Sequence, residues 1–203
     1  MSIGLIGRKV GMTQVFQDDG TMIPVSVVAI QPNTVTRLRT PERDGYTAIQ
    51  LGTEPGKKLT KPEAGQLRDL PKVAVIREFR VEDVADYQVG QKLGVGVFAL
   101  GDVVHVTGIT RGRGFAGGMR RWGWHGGPGS HGSMFSRRIG SIGSGTSPGR
   151  PLKGRTMPGH YGVEQVTVRN LSIVKLEPER GVLYVNGAIP GHRGAVVLIR
   201  KKA

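Results

Sequence analysis

The chain has 203 residues and carries 29 Lys and Arg against 15 Asp and Glu, a net charge of +14. That length holds one core, or one core with an appendage, and the charge puts nucleic acid first among partners. With no Cys, a disulfide scaffold and a thiolate zinc site are excluded, and no stretch approaches the roughly 18 apolar residues needed to span a membrane. The first residues, Met1 to Lys9, lack a leading basic region followed by a long apolar core. They do not read as a signal peptide, so a soluble, cytoplasmic protein is the expectation.

In chain order, Met22 to Ile30 is short, apolar and rich in Val and Ile, and Thr34 to Leu38 alternates Thr, Val, Thr, Arg, Leu. Tyr46 to Leu51 and Val73 to Val81 are similar, and turn residues such as Asp18-Asp19-Gly20 and Asp44-Gly45 bound them. All four read as strands. Lys61 to Leu70 is the best helix candidate, weakened by Gly65. Val103 to Thr107 is a further strand, introduced by Gly101-Asp102. After a long Gly-rich interval, Val166 to Leu176, Val182 to Val185 and Ala195 to Ile199 complete the set, separated by Asn186-Gly187 and Pro190-Gly191. Many short strands with turns between them predict a mainly β fold with little helix, closed or nearly closed as a β-barrel. Residues 1–110 and 163–203 would share its core, and 111–162 would form a long, irregular Gly/Arg-rich internal extension.

The interval itself is the most informative part of the chain. Residues 103 to 163 run for 61 positions without one Asp or Glu. Arg111 to Gly162 holds nine Lys/Arg, three His, 16 of the 33 glycines and both tryptophans. It has too few aliphatic residues to offset the entropy of ordering its glycines as an independent domain. Its composition instead suits ordering by a polyanion: Arg and Lys neutralise phosphates, Trp and His stack on bases, and Gly lets backbone approach closely. General solubility does not explain why acids are excluded from one contiguous block.

Enzymatic readings of this interval fail on their own requirements. Gly112-Arg113-Gly114-Phe115-Ala116-Gly117 matches G-x-G-x-x-G after a strand, but no acid follows until Glu164 and the helix that should follow is interrupted by glycines. The same backbone amides suit RNA phosphate. His125, His131 and His160 match no metal-ligand spacing and have no carboxylate nearby in sequence, which favours stacking or hydrogen bonding to RNA. His105 reads as a satisfied core or edge histidine and His192 as a loop residue. Trp122 and Trp124 admit two readings of equal weight, base stacking or a small-core anchor at the root of the extension. No cofactor, metal or small-molecule substrate is expected.

Specific residues then carry a resemblance. Gly7-Arg8-Lys9-Val10-Gly11-Met12-Thr13 resembles the opening G-x-K-x-G-M-T of the ribosomal protein L-three family of the large subunit, and Val106 to Phe115 resembles that family's approach to its extension. His131-Gly132-Ser133, Arg137-Arg138, Gly140 to Gly143, Ser147 to Arg150, Lys153-Gly154, Met157 to Gly162, Val166-Thr167-Val168, Asn170 and Gly187 to Gly191 follow in the family's order. The resemblance covers almost the whole chain and its length suits the bacterial branch. Departures are local. Ile139 stands where many relatives have Pro, Ser136 where many have His, and Ser144, Gly145 and Thr146 occupy a loop in which some relatives carry a methylated glutamine.

The resemblance implies a translation-factor-like β-barrel seated on large-subunit rRNA, with the extension running inward toward the peptidyl transferase centre. It implies a role in early subunit assembly, contacts with neighbouring large-subunit ribosomal proteins, and no enzymatic activity. The residues expected at the rRNA are Lys9, Arg111, Arg113, Arg120, Arg121, Trp122, Trp124, His125, His131, Arg137, Arg138, Ser144, Gly145, Thr146, Arg150, Lys153, Arg155, His160 and Tyr161. The competing class is a free nucleic-acid-binding regulator.

Overall fold

The computed structural model describes residues 3–56 and 58–202. In chain order they form β1 (Gly4–Phe16), β2 (Met22–Ala29), β3 (Asn33–Arg39), α1 (Pro41–Asp44), β4 (Ala48–Pro55), α2 (Lys61–Gln66), β5 (Val73–Arg80), β6 (Lys92–Leu93) and β7 (Val103–Ile109). There follow β8 (Phe115–Ala116), α3 (Gly118–Trp122), β9 (Gly159–His160), β10 (Gln165–Glu177), β11 (Val182–Asn186) and β12 (Val196–Lys201). The protein is mainly β with little helix. Its contacts divide it into two compact units, Met1–Thr110 with Gln165–Ala203, and Arg111–Glu164.

In the first unit six antiparallel strands hydrogen-bond in a closed ring, in the order β1-β12-β7-β10-β11-β2, with β2 returning to β1. Closure leaves none of these six with an open edge along its paired length. Period-2 alternation explains the ring's wall. Val104 and Val106 of β7, Val197 and Ile199 of β12, and Leu183 and Val185 of β11 are fully buried, while their sequence neighbours point outward. A separate four-stranded sheet, β5-β4-β3-β6, contributes Val35, Ile49, Leu51 and Phe79 to the same hydrophobic core. Each fully buried side chain of this kind contributes roughly 1.5–3 kcal/mol.

One polar group stitches β3 to β1 inside that core. Asn33 is fully buried; its Oδ1 accepts from the Ile6 amide at 2.9 Å, and its Nδ2 donates to the carbonyls of Ile6 at 3.1 Å and Gln31 at 2.8 Å. Every bond it can make there replaces one lost with water.

The sheet's outer face is held by charge. Arg39 bridges Asp44 and Glu78, with 3.0 Å to the latter, and Glu78 also accepts from Tyr46 Oη at 2.7 Å. The hydrogen bond from Arg39 holds Asp44 below the usual carboxylate range. Burial alone would raise Glu78, but hydrogen bonds from Tyr46, Arg39 and Gln50 together bring it down. On the ring, the ion pair with Lys201 and a bond from the Ala99 amide lower Asp102.

Differences from the expectation have physical causes. The strands that read alike in sequence belong to two sheets: β2, β7, β10, β11 and β12 enter the ring, whereas β3, β4 and β5 pair separately. The 13-residue β1 was not among the expected strands, because Gly4, Gly7 and Gly11 interrupt its pattern. At Gly4 a side chain would collide with the buried Phe79 ring, so packing requires what strand propensity disfavours. The expected helix over 61–70 stops at Gln66, after starting on a Thr60–Glu63 capping box. His105 lies partly exposed on β7, and its Nδ1 accepts from the Asn170 amide at 3.1 Å.

Candidate nucleic-acid interface

The second unit, Arg111–Glu164, is built almost without a core. Ala116, Gly118 and Gly162 are its only buried residues, and Met134 to Arg155 are exposed at every position. What order it has begins where its two ends meet. The Arg113 amide donates to Tyr161 O at 2.8 Å, and the Tyr161 amide donates to Gly114 O at 2.9 Å. Phe115 and Ala116 then pair with His160 and Gly159. Gly162, at φ +82°, lies so close to the Arg111 carbonyl that a Cβ would overlap it; both facts demand glycine. The Arg113 guanidinium lies 5.2 Å from the centre of the Tyr161 ring.

Beyond this paired root the two tryptophans tie α3 and its exit to residues 156 and 157. Trp122 Nε1 donates to Met157 O at 2.8 Å, the same carbonyl that Arg121 reaches at 3.0 Å. Trp124 Nε1 donates to Thr156 Oγ1 at 3.1 Å, and its ring covers Gly118, where any side chain would strike it. Arg121 stacks 4.9 Å from the Trp122 ring centre. Both indole N–H groups are therefore engaged within the protein, while Trp122 keeps 48% of its surface exposed. An aromatic face can take a base with its polar edge already fixed. The acceptors Thr156 and Met157 had no local signal in the sequence; their role arises from the pairing of the unit's two ends.

The tip is held by short backbone and side-chain bonds. The Gly127 amide donates to Ser136 O at 2.9 Å, Arg138 N to Phe135 O at 2.8 Å, and Arg155 Nη2 to Ser141 O at 2.7 Å. Ser144, Gly145 and Thr146 are exposed, and a side chain at Gly145 would meet open space within the chain.

The expected contact residues fall into three groups. Arg111, Arg113, Arg120, Arg137, Arg138, Arg150, Lys153 and Arg155, with Trp122, His125, His131, Ser144, Gly145, Thr146 and His160, are exposed on this unit. Arg121, Trp124 and Tyr161 are half-buried structural members of its root. Lys9 belongs to β1 of the first unit, where its ammonium donates to Ile189 O at 2.8 Å and Gly191 O at 3.2 Å. With no carboxylate between 103 and 163, the exposed cations of this surface repel one another and favour an external anion. Among the described residues no group of three or more His, Cys, Asp or Glu is placed to hold a metal, and no helix is long and apolar enough to cross a membrane.

Fold and surface together define a basic, mainly β protein with an exposed, acid-free cationic segment. Comparison with known proteins gives the family. The profile described as Ribosomal protein L3 matches residues 66–182, more than half of the chain. A large ribosomal subunit protein uL3 of Thermotoga petrophila is 50% identical over 198 residues, covering 97% of this chain and 95% of that protein. The uL3 of Pelotomaculum thermopropionicum is 48% identical over 208 residues, covering 100% and 98%. That of Carboxydothermus hydrogenoformans is 45% identical over 205 residues. The chain belongs to the ribosomal protein L3 family.

Proposed function

We infer that this chain is a structural constituent of the large ribosomal subunit, working ribosome-bound in the cytoplasm, and that its role is to bind and shape large-subunit rRNA rather than to catalyse a reaction. The observation that carries this reading is the unbroken exposed run from Met134 to Arg155, which contains five Arg/Lys and no carboxylate. A segment that buries so little of itself gains its order from what it contacts. Within the family reading, the six-stranded ring is a translation-factor-like β-barrel seated on rRNA. Residues 111–162 are an extension that fills gaps between RNA helices and reaches toward the peptidyl transferase centre. Binding is to phosphate and shape, because an RNA helix hides its major-groove edges. Neighbouring large-subunit proteins are further partners, and early binding would let the chain aid subunit assembly.

The loop Gly140 to Pro151 supports conformation rather than chemistry. It holds no His, Lys or carboxylate, and its hydroxyls lack a local base to activate them. Ser141 Oγ is instead engaged with the Gly143 backbone. Arg150 supplies a guanidinium fork suited to phosphate.

Fractionation of cell extracts tests the reading against a free nucleic-acid-binding regulator. The protein should co-sediment with large subunits in low salt and remain there after a moderate-salt wash. Release into the soluble fraction by that wash would favour the regulator.

A further inference from the structure

The resemblance singled out Asn170 without giving it a role, and the structure shows it at an irregularity. Strand β10 pairs with β7 through Val168↔Val106 and then Leu171↔Val104, so Arg169 and Asn170 together oppose the single residue His105. Asn170 takes φ +57°, a left-handed conformation that a residue of this kind adopts with less penalty than most. A bulge of this type re-aims a side chain and recurs beside binding sites. Here the bulge directs the Asn170 amide onto His105 Nδ1 at 3.1 Å. In the neutral ring that acceptor role leaves the other nitrogen as an N–H donor.

The outward face around this bulge is a cleft of about 450 Å³. Arg200 lies opposite His105 in the β7–β12 register, and Thr107 lies opposite both Thr167 and Leu198. One transverse row thus reads Arg169, His105, Arg200, and the next carries two hydroxyls, Thr107 and Thr167, 2.8 Å apart. The far wall is β5, where Phe79 sits 5.8 Å beneath the Arg200 guanidinium. A second, smaller hollow shares Thr107, Gln165 and Leu198 with the first and adds the exposed Arg77. The one carboxylate lining the cleft, Glu78, is already engaged by Arg39, Tyr46 and Gln50. Arg169 forms no ion pair among the described residues.

We propose that this cleft, organised by the Arg169–Asn170 bulge, is a second RNA-backbone site, on the first unit and separate from the extension. Its ligand is a phosphodiester strand. Two guanidiniums in the cleft, a third in the adjoining hollow, an imidazole N–H and the one hydroxyl proton left free by the Thr107–Thr167 bond offer more donors than the two oxygens of a carboxylate can occupy, and they match successive phosphates with their non-bridging oxygens. The proposal rests on the reading of the chain as an rRNA binder, and its test separates the two.

The full-length protein is titrated with an in-vitro transcript of large-subunit rRNA across a salt series. The variant Arg169→Gln/Arg200→Gln should make the slope of log K against log salt shallower by roughly one to two, since each lost phosphate contact removes about 0.7–0.9. Arg169→Lys/Arg200→Lys, which keeps both charges, should retain the wild-type slope. A parallel variant, Arg137→Gln/Arg138→Gln, reports on the extension. If only the extension variant flattens the slope, the cleft proposal is overturned and the function reading stands. If only the cleft variant flattens it, the proposal stands and the extension's role falls. Two competition arms fix the kind of ligand. Inorganic phosphate at the nucleotide-phosphate concentration of the transcript should displace nothing; displacement by it would mark a site for free anions and overturn the proposal. A poly-aspartate peptide that competes only with protein retaining Arg169 and Arg200, while the RNA slope is unchanged in the Gln variant, would mark an acidic protein partner and overturn it as well.

Discussion

In Met1–Thr110 and Gln165–Ala203, more than twenty apolar side chains are buried against one another, and carboxylates such as Asp44, Glu78 and Asp102 answer neighbouring cations. In Arg111–Glu164, Ala116 is the one buried apolar side chain, and the single carboxylate, Glu164, stands at the end. The first unit is ordered by what it hides from water. The second is ordered by a short paired root, by indole N–H bonds and by glycines in close contact, and it keeps its cations outside. One chain can separate what is folded by burial from what is left exposed: all but one of the acids and all but one of the buried apolar side chains lie in the first unit, and the second combines nine Lys and Arg with a single carboxylate and keeps its few aliphatics exposed.

The sharpest way to break this comparison is to damage the first unit's core. Leu51 is fully buried in β4, so Leu51→Ala should cost about 2–5 kcal/mol in urea unfolding followed by far-UV circular dichroism. Arg137→Gln/Arg138→Gln should cost less than about 0.5 kcal/mol in the same assay. Equal losses would mean that the two units fold as one.

Acid should act on the units differently. Asp44, Glu78 and Asp102 all titrate below their ordinary range in the folded protein. A depressed carboxylate contributes stability that is present above its unfolded pKa, about 4, and is lost as pH falls through the folded value. Stability of the first unit should therefore be flat on this account between pH 7 and 5 and decline below about pH 4. Glu78→Gln should be less stable at neutral pH and lose less stability on acidification. A decline already complete at pH 5 would show that other groups govern acid sensitivity.

Both tryptophans lie in the second unit, which gives that unit its own spectroscopic signal. Gly118→Val would drive a side chain into the Trp124 ring. The expected result is a red-shifted tryptophan emission with the far-UV spectrum and urea midpoint of the first unit unchanged. An emission spectrum identical to wild type would show that Trp124 does not pack on Gly118 in solution.

The sequence made parts of this contrast visible and hid others. Val- and Ile-rich runs marked most of the long strands, because a strand half-buried against a core writes its own alternation. Strand β1 stayed hidden, since Gly4 answers to Phe79, a residue 75 positions away, rather than to its neighbours. The division between ring and sheet was hidden for the same reason: which strand pairs with which is set by contacts such as β1–β12 that no local period records. The basic segment was legible as composition, because the exclusion of acids is a property of a window. The engagement of Trp122 and Trp124 with Met157 and Thr156 was not, and neither was the grouping of Arg169, His105 and Arg200, which come from three strands.

A finer change probes the tip of the extension. A side chain at Gly145 meets nothing within the chain, so Gly145→Asp should leave the free protein's fold and subunit assembly largely intact. On the subunit the added carboxylate should repel nearby phosphate, giving slower peptide transfer and altered sensitivity to antibiotics bound in the catalytic cavity. Identical rates and inhibition curves for purified mutant and wild-type subunits would remove the loop from that neighbourhood.

The central claim, that the acid-free extension carries most of the phosphate contact, is tested most directly by the salt dependence of rRNA binding. Replacing Arg111, Arg120, Arg137, Arg138, Arg150 and Lys153 by Gln keeps the backbone and both tryptophans while removing six exposed charges. The slope of log K against log salt should become shallower by roughly four to five, at about 0.7–0.9 for each lost contact. A slope unchanged from wild type would contradict the account and place the electrostatic contact on the first unit.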